Sequence, residues 1–351
     1  MKGIVFHGKE DFRFEDVADP KILAQSDAIV RVERTAICGS DLHLWHGGAM
    51  SGEAGFTVGH EFLGVVEDVG SAVQGLKRGD RVLASCTIGC GSCSMCRRQM
   101  YSGCQVQAKE APMNVFGFSL GLPGGQAEGV RVPFADTTLF RIPDSLDDEQ
   151  ALFLTDILPT GYMGAEFAEV KPGDSVVVFG CGPVGTFAQI CADLMGAAVV
   201  IAVDLDDERL ARAAERGCVT INPSNQDVAT KILELTGGVG ADAVIEAVGN
   251  ADLIAQAAGV LRAGGKLAVI GVLTEPMLTI PWALFFLKNL SVRTGLVNPQ
   301  NYIPMLIALI EQGRIDPTQI ISHRLSLSQG VRGYEVFARH EERALKVVLE
   351  V

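Results

Sequence analysis

Residues 175–185 read Ser-Val-Val-Val-Phe-Gly-Cys-Gly-Pro-Val-Gly. The apolar run fits a buried strand, the glycines a tight turn, and Pro183 the first residue of a helix, where a missing N–H is tolerated. A glycine triplet alone is weak evidence, but strand, turn and helix in this order give it weight. Gly180 lets the strand turn, Gly182 lets backbone N–H groups reach a pyrophosphate, and Gly185 lets the helix pack close to the strand. Pro183 and Val184 belong to the same cofactor-binding turn.

An apolar helix follows over 186–194, and a second strand, Val199 to Val203, ends at Asp204, about twenty residues beyond the triplet, where a carboxylate holds the adenosine ribose hydroxyls. Asp206 and Asp207 follow it, and the nearest cation is Arg209. This acidic end would repel a 2′-phosphate and favours NAD over NADP. Arg209 fits a contact to ribose or phosphate, or a solvated helix face. Residues 241–249 and 266–271 read as further buried strands, 227–236 and 251–261 as helices, and 291–295 as a last strand. The alternation predicts a doubly wound parallel sheet. The apolar segment 281–290 fits a subunit-contact helix or core.

Residues 1–150 follow another pattern. Short alternating or apolar runs at 3–6, 28–33, 62–69, 81–84 and 129–132 are separated by turn residues, and no helical period is sustained. A small β-rich domain with long loops is expected. Helical patterning resumes over 147–165 and 301–312, and 344–349 reads as a strand.

Two cysteine patterns break this scheme. Cys90, Cys93, Cys96 and Cys104 lie in one loop at gaps of two, two and seven residues, with little apolar material to build a core. Four thiolates at this spacing suit a closed tetrahedral zinc site. An iron–sulfur cluster is the rival, but its recurring pattern closes with a gap of three and a following proline. Separately, Cys38 lies in the loop Cys-Gly-Ser-Asp-Leu-His43 and His60 in Gly-His-Glu61. A thiolate and an imidazole about twenty residues apart in strand-connecting loops suit a second zinc, left open to a substrate oxygen.

Composition narrows the function classes. The 351 residues carry 29 basic against 42 acidic side chains, a net charge of −13, so nucleic acid and anionic membrane surfaces are poor partners. Every apolar run is interrupted before the roughly 18 residues a membrane helix needs. The first ten residues meet charge too early for a signal-peptide core. Nine cysteines, an odd count, then point to metal in a reducing cytoplasm rather than to disulfides.

With the Cys38–His43 loop, Gly59-His60-Glu61, the four-cysteine lobe and the glycine turn in this order, the chain resembles the zinc-containing alcohol dehydrogenases of the medium-chain dehydrogenase/reductase superfamily over essentially its whole length. The resemblance implies a Rossmann dinucleotide domain over 155–295 and a GroES-like catalytic domain over 1–154 and 296–351, enclosing a cleft, with the structural-zinc lobe at about 86–110. It implies a catalytic zinc on Cys38 and His60, with Glu61 as an alternative or transient ligand, and a structural zinc on Cys90, Cys93, Cys96 and Cys104. Where many relatives have a cysteine as third ligand this chain has Asp156, as in secondary-alcohol and formaldehyde-dehydrogenase-like branches. A helix-terminal carboxylate unconnected with metal would look the same. Ser40 would accept the substrate proton and His43 pass it to solvent. Thr160 would abut the nicotinamide, Ala247 and Val248 line the dinucleotide site, and Val272 approach the carboxamide.

The implied function is hydride transfer between NAD and a primary or secondary, largely apolar alcohol, in a homodimer or homotetramer. Phe116, Phe118, Trp282 and Leu296 are candidates for an apolar pocket or for ordinary core. Two rivals stand: a formaldehyde dehydrogenase or dismutase with tightly held nicotinamide, and a non-enzymatic NADH sensor.

Overall fold

The computed structural model describes residues 1–47, 53–111, 113–275 and 277–351. They form two compact units, residues 1–159 with 297–351, and residues 160–296.

The unit 160–296 is built on a six-stranded sheet, in the order Val219–Ile221, Val199–Val203, Ser175–Phe179, Ala241–Glu246, Leu261–Val269, Ser291–Thr294. Each neighbouring pair is parallel. Numbered along the chain this is the 3-2-1-4-5-6 order of a doubly wound dinucleotide fold. The inner strands Ser175–Phe179 and Val199–Val203 are nearly continuous apolar runs because helices cover both faces. Val177, Phe179, Ile201, Val244 and Leu267 share one core with the helices Val228–Leu235 and Ala251–Val260. The fourth strand stops at Glu246, three residues short of the 241–249 run, and Ala247–Gly249 form a turn.

The other unit is β-rich. A small antiparallel sheet joins Asp11–Asp16, Lys2–Gly8 and Phe56–Thr57. The main sheet runs His323–Ser326, Val347–Glu350, Ala28–Ile37, Glu61–Val69, Arg81–Ala84, Leu139–Arg141, with Gly129–Val132 also pairing Ala28–Ile37. Its register decides what shares one end. Ala36 stands opposite both Glu61 and Val348, and Ile37 opposite Val347. Cys38, His60, Glu61 and Lys346 therefore leave three adjacent strands together. Glu61 and Lys346 meet there at 2.6 Å, neither with any exposed surface.

The helical pattern over 147–165 predicts one helix, and the structure breaks it. Asp147 caps the first helix, Asp148–Leu152, by a reciprocal capping box with Gln150. A 3-10 turn, Phe153–Thr155, follows, and Asp156 takes φ −152°, ψ −72° before the helix Ile157–Phe167. Pro159 explains the break: it has no N–H to offer the carbonyl of Thr155, and its ring would crowd that carbonyl in a continuous helix. The freed carbonyl accepts the N–H of Cys86 instead, at 2.9 Å. Among the elements of the first unit that carried no sequence signal are the strand His323–Ser326 and the helix Gly330–Ala338, whose Tyr334 stacks on Trp45.

A Cβ on Gly185 would stand 2.0 Å from the carbonyl oxygen of Gly180. Gly185→Ala must therefore push strand and helix apart, and is expected to cost about 1–3 kcal/mol, read as a lowered thermal midpoint. Lys346→Met strands the Glu61 carboxylate in the interior and is expected to cost about 3–5 kcal/mol. An unmoved denaturation midpoint in that variant would contradict the pair's importance.

Candidate functional site

Two groups of ligand-type side chains converge in the first unit. Cys38, His60, Glu61 and Asp156 each offer one atom, all within 4.8 Å of one another, and so do Cys90, Cys93, Cys96 and Cys104.

The first group is assembled by three devices. The strand register brings Cys38 beside His60 and Glu61. The break in the helix at Asp156 turns its carboxylate toward them, Oδ2 lying 3.2 Å from His60 Nε2 and 3.7 Å from Cys38 Sγ. Asp41 fixes the loop. One of its oxygens accepts the N–H of Cys38 at 2.9 Å, and the other lies 3.2 Å from His60 Nδ1, off-line for a hydrogen bond. His60 thus turns Nε2 toward the cluster, an arrangement typical of a metal-bound imidazole backed by a carboxylate. Phe118 covers it, the ring centres 5.5 Å apart.

The electrostatics fit a cation. Burial pushes the Cys38 thiol up, and the nearby Glu61 adds to this. Burial likewise raises Glu61, against the pull of Lys346. Burial would lower His60, yet Asp41, Cys38 and Asp156 together hold it well above its ordinary range. Glu61 Oε1 is spent on Lys346, while Oε2 is buried with no hydrogen-bond partner. Donors this buried resist losing their protons until a positive charge compensates them. One thiol, one imidazole and one or two carboxylates are a donor set zinc accepts.

Ser40 and His43 sit beside this group. The Ser40 hydroxyl makes no helix cap; it lies 3.2 Å from His60 Nε2. His43 is on the short helix Asp41–Trp45, half-buried.

The cysteine lobe has its own geometry. Cys96 Sγ lies 3.5 Å from Cys93 Sγ and 3.9 Å from Cys90 Sγ. Four sulfurs around zinc would stand about 3.8 Å apart for metal–sulfur bonds of about 2.3 Å. Backbone N–H groups point at the thiols: Cys93 N at Cys90 Sγ, and Cys90 N and Gln107 N at Cys104 Sγ. The Cys96 N–H leads several such bonds that bring Cys93 down to about 6, while burial drives Cys96 above its ordinary range.

In the unit 160–296 the glycine turn is formed. Gly180 has φ +94°, Gly182 caps the helix Pro183–Leu194, and a Cβ on Gly182 would meet nothing within 4 Å. The turn therefore keeps a face open to a ligand. Both oxygens of Asp204 bind backbone, Oδ2 accepting from Cys181 N at 2.6 Å and Oδ1 from Asp206 N at 2.9 Å. Arg209 lies on the helix Asp207–Glu215, 3.7 Å from Asp206. Thr160 is buried, while Val248 and Val272 are exposed beside Ala247.

The pocket candidates divide. Phe116 packs edge-on against Phe62 in the core, and Phe118 is buried over His60, but Trp282 and Leu296 are exposed. The segment 281–290 is divided too, with Phe285 in the core and Leu284 and Leu290 packed against it. Its helix, Trp282–Leu287, buries Phe285 and exposes Trp282, Phe286 and Leu287.

Three residues that sequence reasoning passed over contact members of the first group. Asp41 lay inside the quoted motif, but only the fold reveals its contact. Cys86 bonds the Asp156 carboxylate and is driven up chiefly by burial. Lys346 lies in a tail whose patterning showed only a strand.

Comparison with known proteins shows the family. The family "Alcohol dehydrogenase GroES-like domain" matches residues 24–144, and "Zinc-binding dehydrogenase" matches 183–312. An uncharacterized zinc-type alcohol dehydrogenase-like protein of Bacillus subtilis is 39% identical over the full length of both chains. An alcohol dehydrogenase of Cupriavidus necator is 37% identical, covering 100% of this chain and 98% of its own. Among solved structures, the alcohol dehydrogenase TADH from Thermus sp. ATN1 superposes with TM-score 0.93 at 41% identity, all of both chains covered. The chain belongs to the zinc-dependent alcohol dehydrogenases of the medium-chain dehydrogenase/reductase superfamily.

Proposed function

We propose that the protein interconverts a largely apolar primary or secondary alcohol and its aldehyde or ketone, with NAD as hydride acceptor and two zinc ions per chain. The observation that carries the reading is the meeting of Cys38, His60, Glu61 and Asp156 donor atoms within 4.8 Å, beside the Ser40 hydroxyl. Cys38, His60 and Asp156 would hold the catalytic ion, and Cys90, Cys93, Cys96 and Cys104 the structural one. When bound, the catalytic ion supplies a Lewis acid that lowers the pKa of an alcohol, and NAD supplies the hydride acceptor.

The chain's own residues do the rest. Ser40 takes the hydroxyl proton as it leaves, and His43, one turn along the same helix, conducts it toward solvent. Phe118 keeps water from His60 on one side. Glu61, tethered through one oxygen to Lys346, keeps the other for transient coordination. Gly180, Gly182, Pro183, Val184 and Gly185 would receive the pyrophosphate, Ala247 and Val248 would line the cleft between adenosine and nicotinamide, Thr160 and Val272 would meet the nicotinamide, and Asp204 the ribose. The carboxylates of Asp204, Asp206 and Asp207 disfavour a 2′-phosphate, and Arg209, already paired with Asp206, is poorly free to offset them.

We infer a homo-oligomer as well. Ser291–Thr294 is one of the two edge strands of its sheet, and the neighbouring helix exposes Trp282, Phe286 and Leu287. An unprotected edge beside an apolar patch is usually covered. Free thiols throughout suit a reducing cytoplasm.

Reduced-nicotinamide absorbance across a panel of alcohols, with NAD and NADP in parallel, is expected to show NAD-dependent turnover that a chelator abolishes. Silence across the panel with zinc present would overturn the reading. Cys38→Ala is expected to lose one of two zinc ions by elemental analysis. Ser40→Ala should keep both ions while kcat falls by about 10²–10⁴-fold; full activity in both variants would contradict the assigned roles.

A further inference from the structure

The strand Ala241–Glu246 ends in a buried carboxylate that none of the chemistry above uses. Glu246 has no exposed surface. Its Oε1 accepts from three consecutive amides, Val248 N at 2.9 Å, Gly249 N at 2.8 Å and Asn250 N at 3.4 Å. Its backbone carbonyl accepts from Ile270 N at 2.9 Å and Gly271 N at 3.0 Å. One residue thus ties the turns that follow two neighbouring strands. Burying a carboxylate is costly unless it is hydrogen-bonded. Burial raises the Glu246 carboxyl, the three amides oppose the shift, and Oε2 has no hydrogen-bond partner. What the three amides require is an acceptor oxygen, which a glutamine in this place would also supply.

The turn that Glu246 shapes is pressed against the glycine turn. Ala247 N donates to Phe179 O at 3.0 Å. A Cβ on Gly180 would lie 2.8 Å from Val248 Cγ2, and one on Gly185 would lie 3.6 Å from Ala247 Cβ. Gly249, at φ +82°, locks the next turn: a Cβ there would stand 2.2 Å from the Val272 carbonyl oxygen. All of this lies at the carboxyl end of a parallel sheet, where such sheets bind their ligands. The outward side chain of the turn, Val248, is half-exposed.

We propose that Glu246 is a positioning residue for the dinucleotide. By gathering the amides of residues 248–250 it holds Ala247 and Val248, and through Gly249 the Val272 turn, in the cofactor-bound shape before the cofactor arrives. A turn already fixed loses no conformational freedom on binding, and affinity rises by what is saved. The inference rests on the reading that the unit 160–296 binds a dinucleotide.

The test compares wild-type, Glu246→Ala and Glu246→Gln holoenzymes by calorimetric titration with ADP-ribose and by steady-state kinetics. Glu246→Ala leaves three amides without their acceptor, and is expected to raise the ADP-ribose dissociation constant and the KM for NAD about tenfold, the loss falling on KM rather than on kcat. Glu246→Gln restores the acceptor oxygen and should recover most of that loss. A Glu246→Ala protein with a native circular dichroism spectrum that binds ADP-ribose as wild type does would overturn the proposal. So would a fall in kcat with KM unmoved. If Glu246→Ala does not fold, amide hydrogen exchange on the wild type decides. Residues 248–250 are expected to be as protected in the free enzyme as in the ADP-ribose complex, and rapid exchange that only the ligand suppresses would overturn preorganisation. Wild-type protein that binds no ADP-ribose would overturn the dinucleotide reading and this inference together, whereas the variant outcomes bear on Glu246 alone.

Discussion

A lysine and a glutamate 285 residues apart, neither touching water, hold the first unit in its final form. Removing two charges from solvent is costly, and a contact of 2.6 Å compensates only when the surroundings are fixed. Here they are fixed by the sheet, since the strands bearing Glu61 and Lys346 both pair with Ala28–Ile37. Beside the pair, Cys38, Asp156 and the second oxygen of Glu61 face the same small volume as His60. A dication there would let the buried thiol and imidazole give up their protons. The ion pair and the donor cluster thus share one electrostatic arrangement, and the geometry of the second depends on the register of the first.

Much of this was legible in the chain. The glycine turn carried its meaning because two of its glycines answer distinct steric demands, Gly180 by its positive φ and, most sharply, Gly185, whose missing Cβ admits the Gly180 carbonyl. The four-cysteine lobe was legible from spacing, since so little else in that loop could organise it. Cys38, His60 and Asp156 were named from motifs, and the fold brings them together with Glu61.

What was hidden depends on long-range pairing. The helix break at Asp156 needs Pro159 and also an acceptor relationship with Cys86, seventy residues earlier. Lys346 acquires its partner only through a strand register, which a five-residue apolar run does not specify. Glu246 looked like the middle of a longer strand because Ala247 and Val248 continue the apolar pattern. Its carboxylate, by collecting the following amides, ends the strand. The exposed aromatic side of Trp282–Leu287 was obscured for another reason, as apolar residues bound for a partner and those bound for the core share one composition.

The position of Lys346 also sets an order of events in the cell. Residues 1–159 supply all four donors of the candidate metal group, yet the strand Val347–Glu350 that completes their sheet is made after the whole of 160–296. On the ribosome, the segment bearing Cys38 and His60 must wait while the nucleotide-binding unit is synthesised and can fold as a block of its own. Through that interval Glu61 lacks its lysine and the sheet keeps an open edge. Final assembly of this donor cluster therefore belongs to the finished polypeptide, and a nonsense mutation just upstream of residue 346 would release a chain that carries Cys38, His60, Glu61 and Asp156 but leaves Glu61 without its cation.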